Sequence, residues 1–146
     1  MALTLYLHPL ASFCHKVLVA LYENATPFEW RLLAAENAAI MDEFASLWPI
    51  KRFPLLVDDD RIVAEASIII EHLALHHPGP VRLIPQDAQA ALDVRMMDRF
   101  FDNYVMTPMQ KIVGDRLRAE ERRDPHGVAE ARPYRRLFPL GAPERD

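Results

Sequence analysis

Phe53-Pro54-Leu55-Leu56-Val57-Asp58-Asp59-Asp60-Arg61-Ile62-Val63-Ala64-Glu65-Ala66-Ser67 runs from a proline through an apolar strand, an acidic turn and a second strand into the start of a helix. Proline cannot donate to a sheet ladder, so at the head of a strand it is either an edge residue or the site of a cis bond. Leu55–Val57 and Arg61–Ala64 read as the two arms of a hairpin around Asp58-Asp59-Asp60. The spacing beyond predicts a helix from Ala66 to His76, with Ile68, Ile69, Ile70 and Leu73 turned inward.

Upstream, Leu3-Thr4-Leu5-Tyr6-Leu7 alternates strictly and predicts a strand. Ser12 is placed to cap a helix whose apolar positions Val17, Leu18, Ala20 and Leu21 recur at helical spacing and which ends near Asn24. Phe28 to Leu33 reads as a second strand, joined to the first by a right-handed crossover. A short helix is predicted over 38–47, closed before Pro49. The order βαβ, α, ββα is that of an α/β, thioredoxin-like domain with a mixed four-stranded sheet over residues 1–78. Residues 79–85, opening with Gly79-Pro80, read as a linker. Residues 86–146 read as a partial all-helical domain. Its main helical run, about 87–118, is kinked at Pro108 by the loss of a backbone donor. A further helix starts near Asp124-Pro125, and beyond Arg132 the pattern ends among Pro133, Pro139, Gly141 and Pro143.

Composition narrows the function. The chain has 146 residues, 51% of them apolar and 26% charged, enough for a packed core and against disorder. Its net charge of −4 comes without a basic stripe interleaved with aromatics, so nucleic acid is not expected as a partner. No apolar run approaches the ~18 residues of a membrane span, and the N-terminus lacks the pattern of a signal peptide. The single cysteine excludes an internal disulfide and fits a reducing cytoplasm. All four glycines lie beyond residue 78, which excludes a Walker loop or a dinucleotide fingerprint between an early strand and helix.

Several residues carry both a chemical and a plain reading. Cys14 stands three residues after Ala11, the second position of a Cys-x-x-Cys pair whose first cysteine is absent; it is either a redox thiol or a buried small hydrophobe. His72 and His76 have metal-ligand spacing on one helix, but no third ligand is evident, so no metal is expected. Tyr6 turns with Thr4 and His8 away from the leucines, which predicts a solvated or half-buried side chain. Glycine is absent from Lys51-Arg52, so any left-handed turn there is strained.

Three stretches, Ser12-Phe13-Cys14-His15-Lys16-Val17, Trp48-Pro49-Ile50-Lys51-Arg52-Phe53-Pro54 and Glu65-Ala66-Ser67-Ile68-Ile69-Ile70-Glu71-His72-Leu73, resemble in order and spacing the glutathione S-transferase family, bacterial soluble members above all. The resemblance covers residues 3 to about 132 and implies a C-terminally truncated member, since the family runs longer. It implies a cis bond at Phe53-Pro54, with the backbone of Phe53 pairing to extended glutathione. It also implies that Glu65, Ala66 and Ser67 receive the γ-glutamyl end and that Arg52, with Lys51 beside it, meets the glycyl carboxylate, the plain reading of these two being a surface loop of two cations. The family's Glu/Gln-Ser pair here reads Glu65-Ala66, with the hydroxyl one residue later. Its catalytic Ser or Cys falls on Ala11, which makes Ser12 the candidate thiolate-stabilising residue and Tyr6 the alternative. By the same resemblance the chain is a cytoplasmic homodimer in detoxification, with glutathione as co-substrate, no cofactor, and a small electrophile as second substrate. A non-catalytic glutathione-binding module and a thiol oxidoreductase using Cys14 are the competing readings. The short helical part predicts that Met97, Phe100, Phe101 and Met109 lack cover.

Overall fold

A computed structural model describes residues 3–137 of the chain, the side chains only as far as Arg132. The chain divides into two compact units, 1–86 and 87–146. The first is a thioredoxin-like layer structure. Strands β1 (Leu3–Leu7), β2 (Phe28–Leu32), β3 (Leu55–Asp58) and β4 (Arg61–Ala64) form one sheet in the order β2-β1-β3-β4. β1 and β2 are parallel, while β3 runs antiparallel to both β1 and β4. The parallel pair requires a crossover, supplied by helix α1 (Ser12–Glu23). Helices α2 (Ala38–Leu47) and α3 (Ala66–His76) complete the unit, within the bounds the spacing predicts.

Strand alternation sends two apolar sets to opposite faces of the sheet. Leu3, Leu5, Leu7, Leu56 and Val63 pack with Cys14, Val17 and Leu21 of α1 and Ile69 and Leu73 of α3. Tyr6 and Leu55 pack on the other face with Leu33 and with Phe44 of α2. Tyr6 is therefore only 2% exposed, not solvated as the alternation of β1 suggests. The reason is non-local: Phe44 stacks on its ring at 5.8 Å, and alternation within one strand cannot tell whether a second layer covers that face. Ile68 is also corrected. It is 54% exposed, leaving Ile69 and Leu73 as the buried residues of α3, with Ile70 partly covered.

Helix α1 closes with two bonds, Ala25 N–H to Tyr22 O (3.0 Å) and Thr26 N–H to Leu21 O (2.9 Å). This is a Schellman end with Ala25 at φ 47 in the position usually held by glycine. Asn24, just before it, is buried and holds residue 81 at both backbone groups. Its Nδ2 donates to Val81 O (3.0 Å) and its Oδ1 accepts from Val81 N–H (2.7 Å). With Leu83 packed on the α1/α3 side of the core, residues 79–86 belong to the first unit.

The second unit contains α4 (Ala88–Phe100), a π-helical segment (Phe101–Met106), α5 (Thr107–Arg116), a short 3₁₀ turn (Glu120–Arg122) and α6 (Pro125–Leu137). Asp87 caps α4 by accepting from Ala90 N–H at 2.8 Å. The kink expected at Pro108 takes the form of a widened turn. Thr107 directs both its N–H and its Oγ1 (2.7 Å) to Asp102 O, and Pro108, which has no N–H to donate, follows directly in the first turn of α5. α6 runs through Pro133 to Leu137, where a break after Arg132 was expected. A proline removes one intrahelical bond, and the turns before it pack on α5, with Gly127 and Ala131 buried and the Lys111 side chain lying over Gly127. Asp124 starts α6 by accepting from Gly127 N–H, while its own N–H reaches the buried Asp115. Pro139, Gly141 and Pro143 of the expected ending lie outside the described residues.

Candidate functional site

The sheet register gathers the chemistry at one edge. Tyr6 pairs with Leu55 and Leu55 with Ala64 on a single rung. One or two residues beyond that rung lie His8 on the first strand's exit, Phe53-Pro54 before β3, and Glu65 after β4. The N-termini of α1 and α3 start from these exits, so their first-turn amides, which have no carbonyl ahead of them, belong to the same end of the sheet.

The Phe53-Pro54 bond is cis. Pro54 is buried, Phe53 is 40% exposed with its ring 6.3 Å from that of His8, and among the described residues its N–H and C=O have no hydrogen-bond partner. An exposed, unpaired backbone beside a sheet is the feature to which an extended peptide adds. The loop ahead of it contains Lys51 at φ 57, whose N–H bonds to Trp48 O at 2.9 Å; this is the left-handed turn for which the sequence lacks a glycine. Lys51 and Arg52 are both exposed.

Glu65 is the residue that stands out. It occupies the N-cap of α3 at φ 70, ψ 119, a conformation that costs a non-glycine residue roughly 1–3 kcal/mol and recurs at functional sites. Its carbonyl accepts from Ile69 N–H (2.9 Å), and its side chain is exposed. Ala66 follows, buried, and Ser67 Oγ accepts from Lys16 Nζ at 3.0 Å, a bond between α3 and α1. Sequence reasoning assigns Lys16 no partner. The available signal is its (i, i+4) relation to Ser12, which puts the ammonium on the face of α1 toward the same helix end.

Ser12 is not the cap. Ala11 holds the N-cap position of α1 at φ −91, ψ 118, with no side-chain cap bond, and Ser12 is the first helical residue, half-buried. Cys14 N–H and His15 N–H both turn back to Ala11 O, at 3.0 and 3.1 Å. Cys14 itself is fully buried in the α1/α3 core, where burial raises its thiol above its ordinary pKa. Tyr6 donates to Glu43 Oε1 at 2.6 Å. Burial, then the bond to Glu43 and its charge, push the phenol up to about 12. That hydroxyl faces the α2 layer, on the opposite side of the sheet from α1 and α3. The structure thus brings Phe53, Pro54, Glu65, Ala66, Ser67 and Ser12 to one end of the first unit and leaves Tyr6 on the other face.

The profile of the glutathione S-transferase N-terminal domain matches residues 1–75. The chain is 34% identical over 95 residues to glutathione S-transferase theta-1 of Bos taurus, covering 64% of this chain and 40% of that protein. In fold it superposes on a glutathione S-transferase of Methylobacillus flagellatus with GSH bound (TM-score 0.81, 21% identity, 93% of this chain and 66% of that one). It also superposes on one of Methylobacterium radiotolerans in complex with glutathione sulfonate (TM-score 0.73, 25% identity, 92% and 62%). The chain belongs to the glutathione S-transferase family. It spans about two fifths of the length of the bovine relative.

Proposed function

We propose that this chain binds glutathione along the edge built by Phe53 and Glu65 and conjugates its thiolate to a small electrophile. The observation that carries this reading is Glu65, an exposed carboxylate kept at positive φ on a helix N-cap beside the unpaired backbone of Phe53. In this reading the ligand pairs with Phe53 as an added strand beside Pro54. Its γ-glutamyl carboxylate meets the first amides of α3 at Ala66 and Ser67, where the helix dipole favours an anion. Glu65 takes the amine, and Arg52 takes the glycyl carboxylate. The thiol lies over the start of α1, where the helix end and the Ser12 hydroxyl favour the thiolate. An ordinary thiol has a pKa of about 8.5, so lowering it by roughly two units makes thiolate the main form at neutral pH.

Calorimetric titration with glutathione tests the binding half: one site per chain is expected, weakened about tenfold or more in Glu65→Gln, and no heat of binding to the folded protein overturns the reading. Conjugation of a chloronitrobenzene tests the chemical half. Ser12→Ala is expected to lower the rate at neutral pH by about tenfold and to move the pH profile upward, because the thiol then ionises later. An unchanged rate and profile remove Ser12 from its role. A second reading, a binding module without turnover, is favoured by Ala11 at the N-cap and the buried Ala66 where the family carries hydroxyls. Binding with no conjugation selects it.

A further inference from the structure

Away from the glutathione edge, β3 and α3 bring three metal-binding side chains together. His72 Nε2 lies 2.8 Å and His77 Nε2 2.7 Å from the same oxygen of Asp58, Oδ2. Among the described residues these three donor atoms all fall within 4.8 Å of one another. The cluster is sheltered: the side chains of His72 and Asp58 are mostly buried, and that of His77 is about one third exposed. Sequence spacing singles out His72 with His76, but the third donor comes from a strand 14 residues earlier and the second histidine is the helix's C-cap, His77. His76 is exposed, with its ring 4.5 Å from that of His72.

We propose that Asp58, His72 and His77 form a binding site for a borderline divalent cation of the zinc type. The donor set, two imidazoles and one carboxylate, is one zinc takes, with a fourth position left to water on the exposed side of His77. A tetrahedral ion at about 2.0–2.1 Å from each donor separates the donors by roughly 3.4 Å. The two contacts to Asp58 therefore open by about 0.6 Å each, and the two Nε2 atoms, within 4.8 Å of each other, come to the same spacing by rotation of the side chains. Each ring then presents the Nε2 lone pair with its proton on Nδ1. Two further features favour a cation here. The last carbonyls of α3 point toward its C-terminal end, where the helix dipole is negative. The hairpin turn next to Asp58 adds the exposed carboxylates of Asp59 and Asp60. A bound ion would staple the β3–β4 turn to the end of α3, closing a loop across residues 58–77, and does not depend on glutathione binding.

The test is a titration of the metal-stripped full chain with Zn²⁺ alone, by calorimetry or by competition with a chromogenic chelator, followed by thermal melting. One ion per chain and a raised melting temperature are expected. In His77→Gln the affinity falls at least about tenfold, the loss typical even of an outer partner of a zinc ligand, and the thermal shift disappears. Asp58→Asn, checked for native circular dichroism, gives the same result. Cys14→Ser and His76→Gln bind as the parent does. Absence of a 1:1 complex overturns the proposal, as does binding that survives His77→Gln or is lost in Cys14→Ser. In either case the trio is a hydrogen-bonded clasp. Glutathione affinity, measured on the same samples, remains unchanged in His77→Gln, so failure here leaves the proposed function standing.

Discussion

The two units of this chain bury their apolar residues to very different degrees. In residues 3–86 a sheet separates two packed layers, and Leu5, Leu7, Leu21, Leu55, Leu56 and Ile69 are fully enclosed. In residues 87–132 the buried positions are small or polar: Ala91, Gly127, Ala131 and Asp115. Large apolar side chains there lie open, among them Leu92 at 58%, Met96 at 57%, and the expected Met97, Phe101 and Met109, while Phe100 is half-buried. A sheet with helices on both faces completes a core from local crossovers, whereas single helices bury one stripe each and need more neighbours to do the same. Stability in this chain is therefore concentrated where the candidate site is built.

The contrast is broken most directly by truncating one side chain in each unit. Leu56→Ala is expected to cost about 2–5 kcal/mol in urea denaturation, the range for a fully enclosed leucine, while Met96→Ala stays within about 0.5 kcal/mol. Equal costs would show that the helical unit carries a core of its own. Asn24→Ala sharpens the boundary. It leaves both backbone groups of Val81 without partners, so a loss of about 1–3 kcal/mol is expected, with faster amide exchange over residues 79–83. A neutral result would detach that stretch from the first unit.

A smaller effect follows from Tyr6 and probes the α2 layer alone. Its folded pKa of about 12 lies above the unfolded value near 10, so the folded state holds the proton longer. The stabilisation is complete below pH 10 and is lost as pH rises through about 12, giving a falling stability curve in that window. Tyr6→Phe flattens this fall and costs about 1 kcal/mol at neutral pH through the bond to Glu43. Ultraviolet absorbance of tyrosinate, compared in parent and variant, follows the step.

Most of the first unit was legible from the chain, because periodicity and breakers are local signals. The bounds of α2, α3 and β4 follow from apolar spacing and from the positions of Pro49 and Pro54. What escaped depends on tertiary contact. The cover over Tyr6 comes from Phe44, 38 residues away, and Ile68 points outward because the angle of α3 on the sheet selects Ile69 and Leu73. Ser12 missed the N-cap by one residue, since the choice between it and Ala11 rests on where the backbone leaves β1. The helical run of the second unit was visible as a whole, but not that its kink would take the form of a π-helical segment from Phe101 to Met106. At the candidate site the backbone parts, Phe53-Pro54 and the start of α3, were readable from proline and helix signals. The link from Lys16 to Ser67 and the joining of His77 to Asp58 were not, because each spans separate elements.

The Schellman end of α1 leaves the protein room for improvement by substitution. No glycine occurs before residue 79, yet Ala25 adopts φ 47 with both of the motif's hydrogen bonds in place. An L-residue in that region costs about 1–2 kcal/mol, and glycine's extra freedom in the unfolded chain gives back only about 0.4–1. Ala25→Gly is thus a stabilising change of roughly half to one kcal/mol, far from the candidate site. For anyone wishing to study this chain at higher temperature, the helix end already has the shape, and one methyl group is what stands in its way.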